Sequence, residues 1–436
     1  MGSMIGSGIF RVEAEVSQAV PSALGALAVW MIAGFLSLMG GLTMAELGAM
    51  FPGAGGPYLY LREAFHQLLG FLHGWISAWI IYPGSIAAVA VAFAQFLTYV
   101  VDLSSFQQHL VASAVIVVFT GINLMGVTRG AWVLDLLTFL KILALLGIAG
   151  AGSFLAASQS VAAPAATPHT LTGFGVALIA AFWAYDGWIG LSYVAGEVRE
   201  PQKNVPASLM WGIFGVAVLY TLVNLAVYRF VPVAQVAASS FPVADAASAM
   251  AGAPVSAPAP GVTSVTASAP LSTPVLLVVL AVLLSTLGCV NGMILGGARM
   301  TYAMSADGVL PAWLGYVHPV TRVPSTSLVA QMAVALALAW SGRYDQLYTC
   351  VVAVAFVFYG LSAAAVFVLR FKKPDQPRPY TVPLYPWLPL GYLLFVIAFI
   401  GNTLYAKPTE SFIGLGIMIT GVPVYFWQRR HEAASA

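Results

Sequence analysis

The chain has 436 residues, of which 60% are hydrophobic and only 7% charged, with a net charge of +2. A soluble protein of this length carries roughly 25% charge, so the composition excludes a soluble globular fold and places most of the chain in a bilayer. The near-neutral balance gives no ground for a nucleic-acid partner.

The chain opens on Gly2-Ser3-Met4-Ile5-Gly6-Ser7-Gly8-Ile9-Phe10. This stretch is apolar enough for a membrane, yet Gly2, Gly6 and Gly8 each cost roughly 1 kcal/mol in a helix interior relative to alanine. With Ser7 they read as a helix built to be interrupted. An interrupted helix leaves backbone N–H and C=O groups unpaired, which lipid tolerates only beside a cavity or ligand. The chain therefore begins inside a binding site on this reading.

A span needs roughly 20 apolar residues. A partial segment at 3–15 is followed by spans near 23–48, 68–99, 108–126, 132–155, 173–195, 207–231, 274–303, 325–340, 347–370, 386–405 and 411–428. Segment 232–273, rich in Ala, Pro, Ser, Val and Thr with Asp245 its only charge, reads as a flexible outer loop; a short amphipathic helix around 234–251 is the alternative. The other connections are short, which argues against an enzyme with a catalytic head. With the N-terminus inside, twelve of the 17 lysines and arginines fall on the cytoplasmic side, among them Arg62, Arg199, Arg299, Arg370 and Arg430, and only Arg11, Arg229, Arg343 and Lys407 outside. Lys141 belongs to neither side. This bias predicts both termini in the cytoplasm and a multi-pass protein of the plasma (inner) membrane, which has no separate signal peptide.

The sixth span holds Trp183-Ala184-Tyr185-Asp186-Gly187-Trp188, an acid and a glycine near its middle. A charge at that depth costs from about 2.5 to over 10 kcal/mol, so Asp186 needs donors or water. It is read either as a cap on a half-helix beginning at Gly187 or as a group that contacts a substrate amine or carries a proton. Interrupted helices in the first and sixth spans are the pattern of inverted-repeat transporters. The repeats would be 1–155 and 173–370, with spans 386–428 an appendage; the symmetry rests on position and interruption, since residue identity between the halves is weak. Two breaks at one depth offer half-helix N–H groups for a carboxylate and free carbonyls for an ammonium group. A zwitterionic α-amino acid has both.

Cys289 and Cys350 lie in apolar runs and read as small core residues. The six histidines are dispersed without metal-ligand spacing, so no metal or other cofactor is expected.

Three stretches together resemble the amino acid–polyamine–organocation superfamily, close to the L-type amino acid transporters and bacterial serine/threonine exchangers. They are the glycine motif 2–10; Phe182 to Pro206, with Gly196-Glu197 and Pro201-Gln202-Lys203-Asn204-Val205-Pro206; and Ala298-Arg299-Met300-Thr301-Tyr302-Ala303-Met304 continuing through Asp307-Gly308-Val309-Leu310-Pro311 to Pro324. The resemblance implies an all-α integral membrane fold like that of the sodium-coupled leucine transporter: a 5+5 inverted repeat plus two extra spans, with the first span shortened. It implies a substrate site formed by Met4, Ile5, Gly6, Ser7 and Gly8 with Trp183, Ala184, Tyr185, Asp186 and Gly187. Ser7 and Gly8 would bind the carboxylate. The carbonyls of Met4, Trp183, Ala184 and Asp186 would receive the amine, and Trp183 or Tyr185 would belong to an occluding gate. For each of these aromatics, ordinary core packing is the alternative.

Lys141 lies nine residues after Trp132, about 14 Å deep at 1.5 Å per residue, near the middle of a roughly 30 Å core. It is either a lysine packed against loose carbonyls or a fixed cation bridging spans one, five and eight, with Ser285 and Thr286 as neighbours. In sodium-independent relatives a lysine here takes the place of a bound sodium ion, which would make transport sodium-independent. Glu46 and Glu197 are read as interfacial, or as a cytoplasmic gate with Arg62, Arg129 or Arg199; Arg299 is read as an anchor first and a gate second.

Two departures from the family's pattern stand out. The motif's upstream half-helix is absent before Met1, so we expect a chain that is N-terminally truncated or has a misassigned start. Ile189 stands where L-type relatives often carry a polar residue. The loop Val101–Gln108 lacks the cysteine that links heteromeric relatives to a heavy chain, so no disulfide-linked partner is expected; oligomeric state is not legible. The expected function is secondary transport of neutral L-amino acids by alternating access, as sodium-independent exchange or uptake. The alternatives are a polyamine or cationic amino acid exchanger, with Asp186 as counter-ion, and a non-transporting amino acid sensor.

Overall fold

A computed structural model describes residues 2–53, 55–154, 171–193, 195, 198–252, 273–341 and 344–435. Among these, all regular structure is helical. Nine helices are long and apolar enough to cross a membrane. Three shorter ones complete the series: α1 (Gly8–Ala19), α8 (Leu171–Tyr185) and α14 (Ser325–Ser341). The twelve apolar segments read from the sequence each overlap one of these, and the chain is an all-helical membrane protein.

The long helices are α2 (Ala23–Met50), α4 with α5 (Gln67–Ile76 and Tyr82–Leu97, one continuous span), α6 (Ser105–Leu124), α7 (Val127–Phe154), α10 (Pro201–Phe230), α13 (Thr273–Ala306), α15 (Tyr344–Lys372), α16 (Trp387–Ala406) and α17 (Pro408–Ser435). Their ends follow local chemistry. Ser22 caps α2 by accepting the Gly25 N–H at 3.0 Å, and Ser104 and Gln107 form a reciprocal capping box on α6. Pro83 has no N–H to donate to the preceding turn, and the chain widens there into a π turn over Ser77–Ile81 between α4 and α5.

The helices pair in a regular way. In span order, the first packs on the sixth (α1 on α8), the second on the seventh (α2 on α10), the third on the eighth (α5 on α13) and the fourth on the ninth (α6 on α14). The last two spans, α16 and α17, lie outside against α15, α2 and α4.

The segment expected as a flexible outer loop begins instead with two packed helices, α11 (Val233–Ala238) and α12 (Pro242–Met250), in line with the amphipathic alternative. The reason is apolar content. Val233, Val236, Phe241 and Val243 are buried, and Phe241 packs on Phe96 and Tyr99 with ring centroids 4.8 and 5.1 Å apart. Residues 253–272 of that segment lie outside the described residues. A short α3 (Pro57–Ala64) and a single-turn α9 (Gly190–Tyr193) complete the elements used below.

Candidate functional site

The two interruptions meet. Residues 2–7 form irregular turns before α1, and α8 ends at Tyr185, followed by turns over 186–189 before α9. A Cβ on Gly8 would stand 2.5 Å from the Ala184 Cα, so α1 and α8 touch backbone to backbone. Gly187 has φ +102°, and a Cβ there would stand 2.7 Å from the Ser3 carbonyl oxygen. Side chains fit neither position, which is the physical content of the two glycines.

The freed carbonyls are met by side chains from other spans. The Tyr220 hydroxyl on α10 lies 3.1 Å from both the Met4 and the Ala184 carbonyl oxygens. Lys141 Nζ on α7 donates to the Ile5 carbonyl at 2.7 Å and also to that of Gly2. Ser285 Oγ on α13 donates to the same Ile5 carbonyl at 3.0 Å and reaches Gly6 O at 3.4 Å. Thr286, expected beside it, bonds back to the carbonyls of Val282 and Leu283 in its own helix. Cys289 Sγ donates to Ser3 O at 3.2 Å. At the second break, Asp186 Oδ1 accepts from the Tyr359 hydroxyl on α15 at 2.7 Å, and Trp188 packs on the same Tyr359 ring at 5.4 Å.

A cavity of about 310 Å³ opens against this crossing, within the usual range for a small-molecule site. Its walls include Ser3, Met4, Asp186, Gly187, Tyr82, His73, Tyr193, Arg299 and Tyr359. A separate space of about 10 Å³, the room of one water molecule, lies between Gly6, Ser7, Gly8, Trp183 and Asp186. Met4 and Asp186 wall both spaces.

The predicted residues thus divide. Gly187 faces the large cavity; Gly6, Ser7, Gly8 and Trp183 face the small one; Ile5, Ala184 and Tyr185 line neither. Two sets of predicted residues have partners of their own. The carbonyls of Met4 and Ala184, expected to be open to an amine, already lie against Tyr220. Tyr185, expected at a gate, donates to the Trp30 carbonyl at 3.1 Å and packs between the Trp30 and Tyr220 rings at 5.9 and 5.1 Å. Trp183 packs on Tyr348 at 5.5 Å. Sequence reading missed Tyr220 and Tyr359. Their signal was a phenol well inside an apolar span, where a hydroxyl must find a partner.

The charged face is also rearranged from expectation. Glu46, anticipated with Arg62, Arg129 or Arg199, is 0% exposed and is gripped in two places by Arg370, Nε at 2.9 Å and Nη2 at 2.6 Å. The Val382 N–H donates to it at 2.8 Å and Arg378 Nε stands 3.8 Å away. A buried carboxylate selects the bidentate arginine that α15 brings alongside. Arg62 instead pairs with Asp307 at 2.7 Å, and Lys373 with Glu63 at 2.6 Å. The Lys373 hydrogen bond holds the Glu63 carboxyl below its ordinary range. Glu197 and the Arg129 side chain lie outside the described residues.

Comparison with known proteins places this geometry in context. A family model described as amino acid permease matches residues 1–423. The chain is 28% identical to the serine/threonine exchanger SteT of Bacillus subtilis, covering 100% of this chain and 95% of that one. It is 31% identical to the human large neutral amino acids transporter small subunit 2, covering 100% of this chain and 80% of that one. Against the human cystine/glutamate transporter it is 28% identical over 98% of this chain and 82% of that one.

Proposed function

Because the chain belongs to the amino acid permease family, we propose that it moves L-amino acids, neutral ones first, across a membrane by alternating access. The observation that carries this reading is the crossing of the two interrupted segments at Gly187 and Ser3, beside a cavity large enough for a small zwitterion. The first-turn N–H groups of α1 at Gly8 and Ile9 would take the α-carboxylate. Trp183 and Asp186 on the opposing segment would take the ammonium group. The space between them holds only about one water here, so entry requires α1 and α8 to part, and their closing would complete the site.

Asp186 is the one acid among the residues lining the large cavity, and it already accepts from Tyr359, while Arg299 lines the same cavity. Beyond Asp186 that lining offers a cationic side chain no further acid, which favours neutral substrates. Lys141 would act as a fixed cation. Its ammonium group sits on the carbonyls of Gly2 and Ile5 and shares the latter with Ser285, tying α7 and α13 to the first break. That supports transport without sodium. The pairing of each of the first four spans with the one five positions later supports repeats at 1–155 and 173–370. The weight of lysine and arginine supports both termini in the cytoplasm.

The test is counterflow of labelled amino acids in proteoliposomes, with and without sodium. Trans-stimulation by a neutral amino acid in sodium-free buffer is expected. If no amino acid trans-stimulates, the exchanger reading is lost; a strict sodium requirement would remove the fixed-cation role.

A further inference from the structure

α1 carries an acid about one and a half turns beyond Gly8. Glu13 is 0% exposed, and neither of its carboxyl oxygens has a hydrogen-bond partner among the described residues. The nearest polar groups are the Trp30 indole on α2 and the Tyr228 hydroxyl on α10. Neither forms a bond of normal geometry with it. Trp30 Nε1 is itself unpaired, and Tyr228 is held by Ser17 Oγ at 2.8 Å. A third group on the same interface is in the same condition: Asn224 is 0% exposed, with both its Oδ1 and Nδ2 unpaired.

Asn224 is one turn from Tyr220 and one turn from Tyr228, so the three share a face of α10. Tyr220 meets Met4 and Tyr228 meets Ser17, which sets Asn224 between them, alongside the stretch of α1 that holds Glu13. A carboxyl on α1 and an indole N–H on α2 thus face each other with unmet hydrogen-bonding capacity, and Asn224 on α10 is a further buried polar group with none met.

Among the described residues no positive charge compensates Glu13. Of the elements packed on α1, α8 presents Tyr185, α2 presents Trp30 and α10 presents Tyr228. Helix α11 has no ionisable side chain, and the one in α12, Asp245, is bonded to Ser239. The other charges of α1 point elsewhere: Arg11 to Gln95 on α5, Glu15 to Tyr348 on α15. An ionised carboxylate with neither counter-charge nor donor does not persist at bilayer depth; the group takes up a proton instead.

We propose that Glu13 is a proton-binding site on the helix that forms the substrate site, and that it couples proton movement to substrate movement. This rests on the transporter reading above. In the conformation described, the proton sits on a Glu13 oxygen. When α1 moves against α2 and α10 to open the site, water reaches the carboxyl group beside Trp30, the O–H bond breaks and the proton leaves to that side. Once the site has reopened to the other side, a proton from that side rebinds the carboxylate before the next substrate is carried. No other reactant is needed.

The test uses the full chain in proteoliposomes with L-serine and L-leucine, a pH-sensitive dye inside, and the isosteric variant Glu13→Gln. Wild type should accumulate substrate under an inward proton gradient, by up to about tenfold per pH unit for one proton per molecule, with acidification of the lumen. E13Q should keep counterflow at symmetric pH but lose gradient-driven accumulation, falling to about onefold. Wild type that shows counterflow, yet neither accumulates substrate nor acidifies the lumen under the inward proton gradient, would overturn the proton site and leave the transporter reading standing. Infrared spectroscopy reads the site independently of transport. Wild type at neutral pH should show a protonated carboxylic acid C=O band that E13Q lacks, and absence of that difference overturns the proposal even if no amino acid is carried.

Discussion

The two interrupted segments solve the same problem in opposite ways. At the first, Gly2 to Gly6, the exposed backbone is covered by donors from three other spans: Lys141, Ser285 and Cys289, and Tyr220. At the second, 183–189, the break keeps a carboxylate of its own, and that group has one side-chain tether, the Tyr359 hydroxyl. The first is moored to α7, α10 and α13; the second borders both the large and small cavities through Asp186. In a two-part site, the moored half sets position and the lightly held half is free to respond to a guest.

That contrast can be broken or sharpened by mutation. The largest effect is expected for Lys141→Ala, which strips the Gly2 and Ile5 carbonyls of a charged donor. Ser285 still serves the Ile5 carbonyl, so at roughly 1–3 kcal/mol for a buried unsatisfied group the loss, set mainly by Gly2, is on the order of 2 kcal/mol. A thermal-unfolding scan in detergent should show a clear drop in midpoint together with lost counterflow; an unchanged midpoint would mean the mooring is not structural. Next come two tyrosine-to-phenylalanine changes, read side by side. Tyr220→Phe should lower stability by about 1 kcal/mol. Tyr359→Phe, which releases Asp186, should leave the unfolding midpoint near wild type and change the apparent KM for transport severalfold. Equal effects on both readouts would erase the distinction between the breaks.

The smallest effect belongs to the charged face, away from both. Glu63 is held below the ordinary carboxylate range by Lys373. Its pairing therefore stabilises the fold above the unfolded value of about 4.3 and is lost as pH falls through the lower folded value. Both groups are about a third exposed, 30% and 38%, so the contribution is under about 1 kcal/mol. The midpoint difference between wild type and Lys373→Ala should be present at neutral pH and vanish in acid.

The sequence made the helical frame legible because lipid imposes a long apolar run on every span. The reading 23–48 became Ala23–Met50, and 325–340 became Ser325–Ser341. Both interruptions were visible as well, since glycine and a mid-span acid have few other reasons to sit at bilayer depth. What stayed hidden is what depends on rotation about a helix axis. Whether Tyr185 faced a cavity or the Trp30–Tyr220 cluster could not be read from its neighbours. Glu46 found Arg370 and Arg378, more than 320 positions away in the chain, because α2 and α15 lie together at that face. Glu13 stands between Arg11 and Glu15 in no motif that singles it out; only packing shows that those two pair elsewhere and that Glu13 is sealed.

The Tyr220 hydroxyl has a further consequence. It owns a single hydrogen and faces two carbonyl oxygens, one from each interrupted segment. Where the two segments cross, that one hydrogen is therefore shared between two acceptors. An ammonium group arrives with three hydrogens and no acceptor. A guest of that kind would supply what the crossing lacks, and the phenol could settle on one carbonyl while the newcomer takes the other.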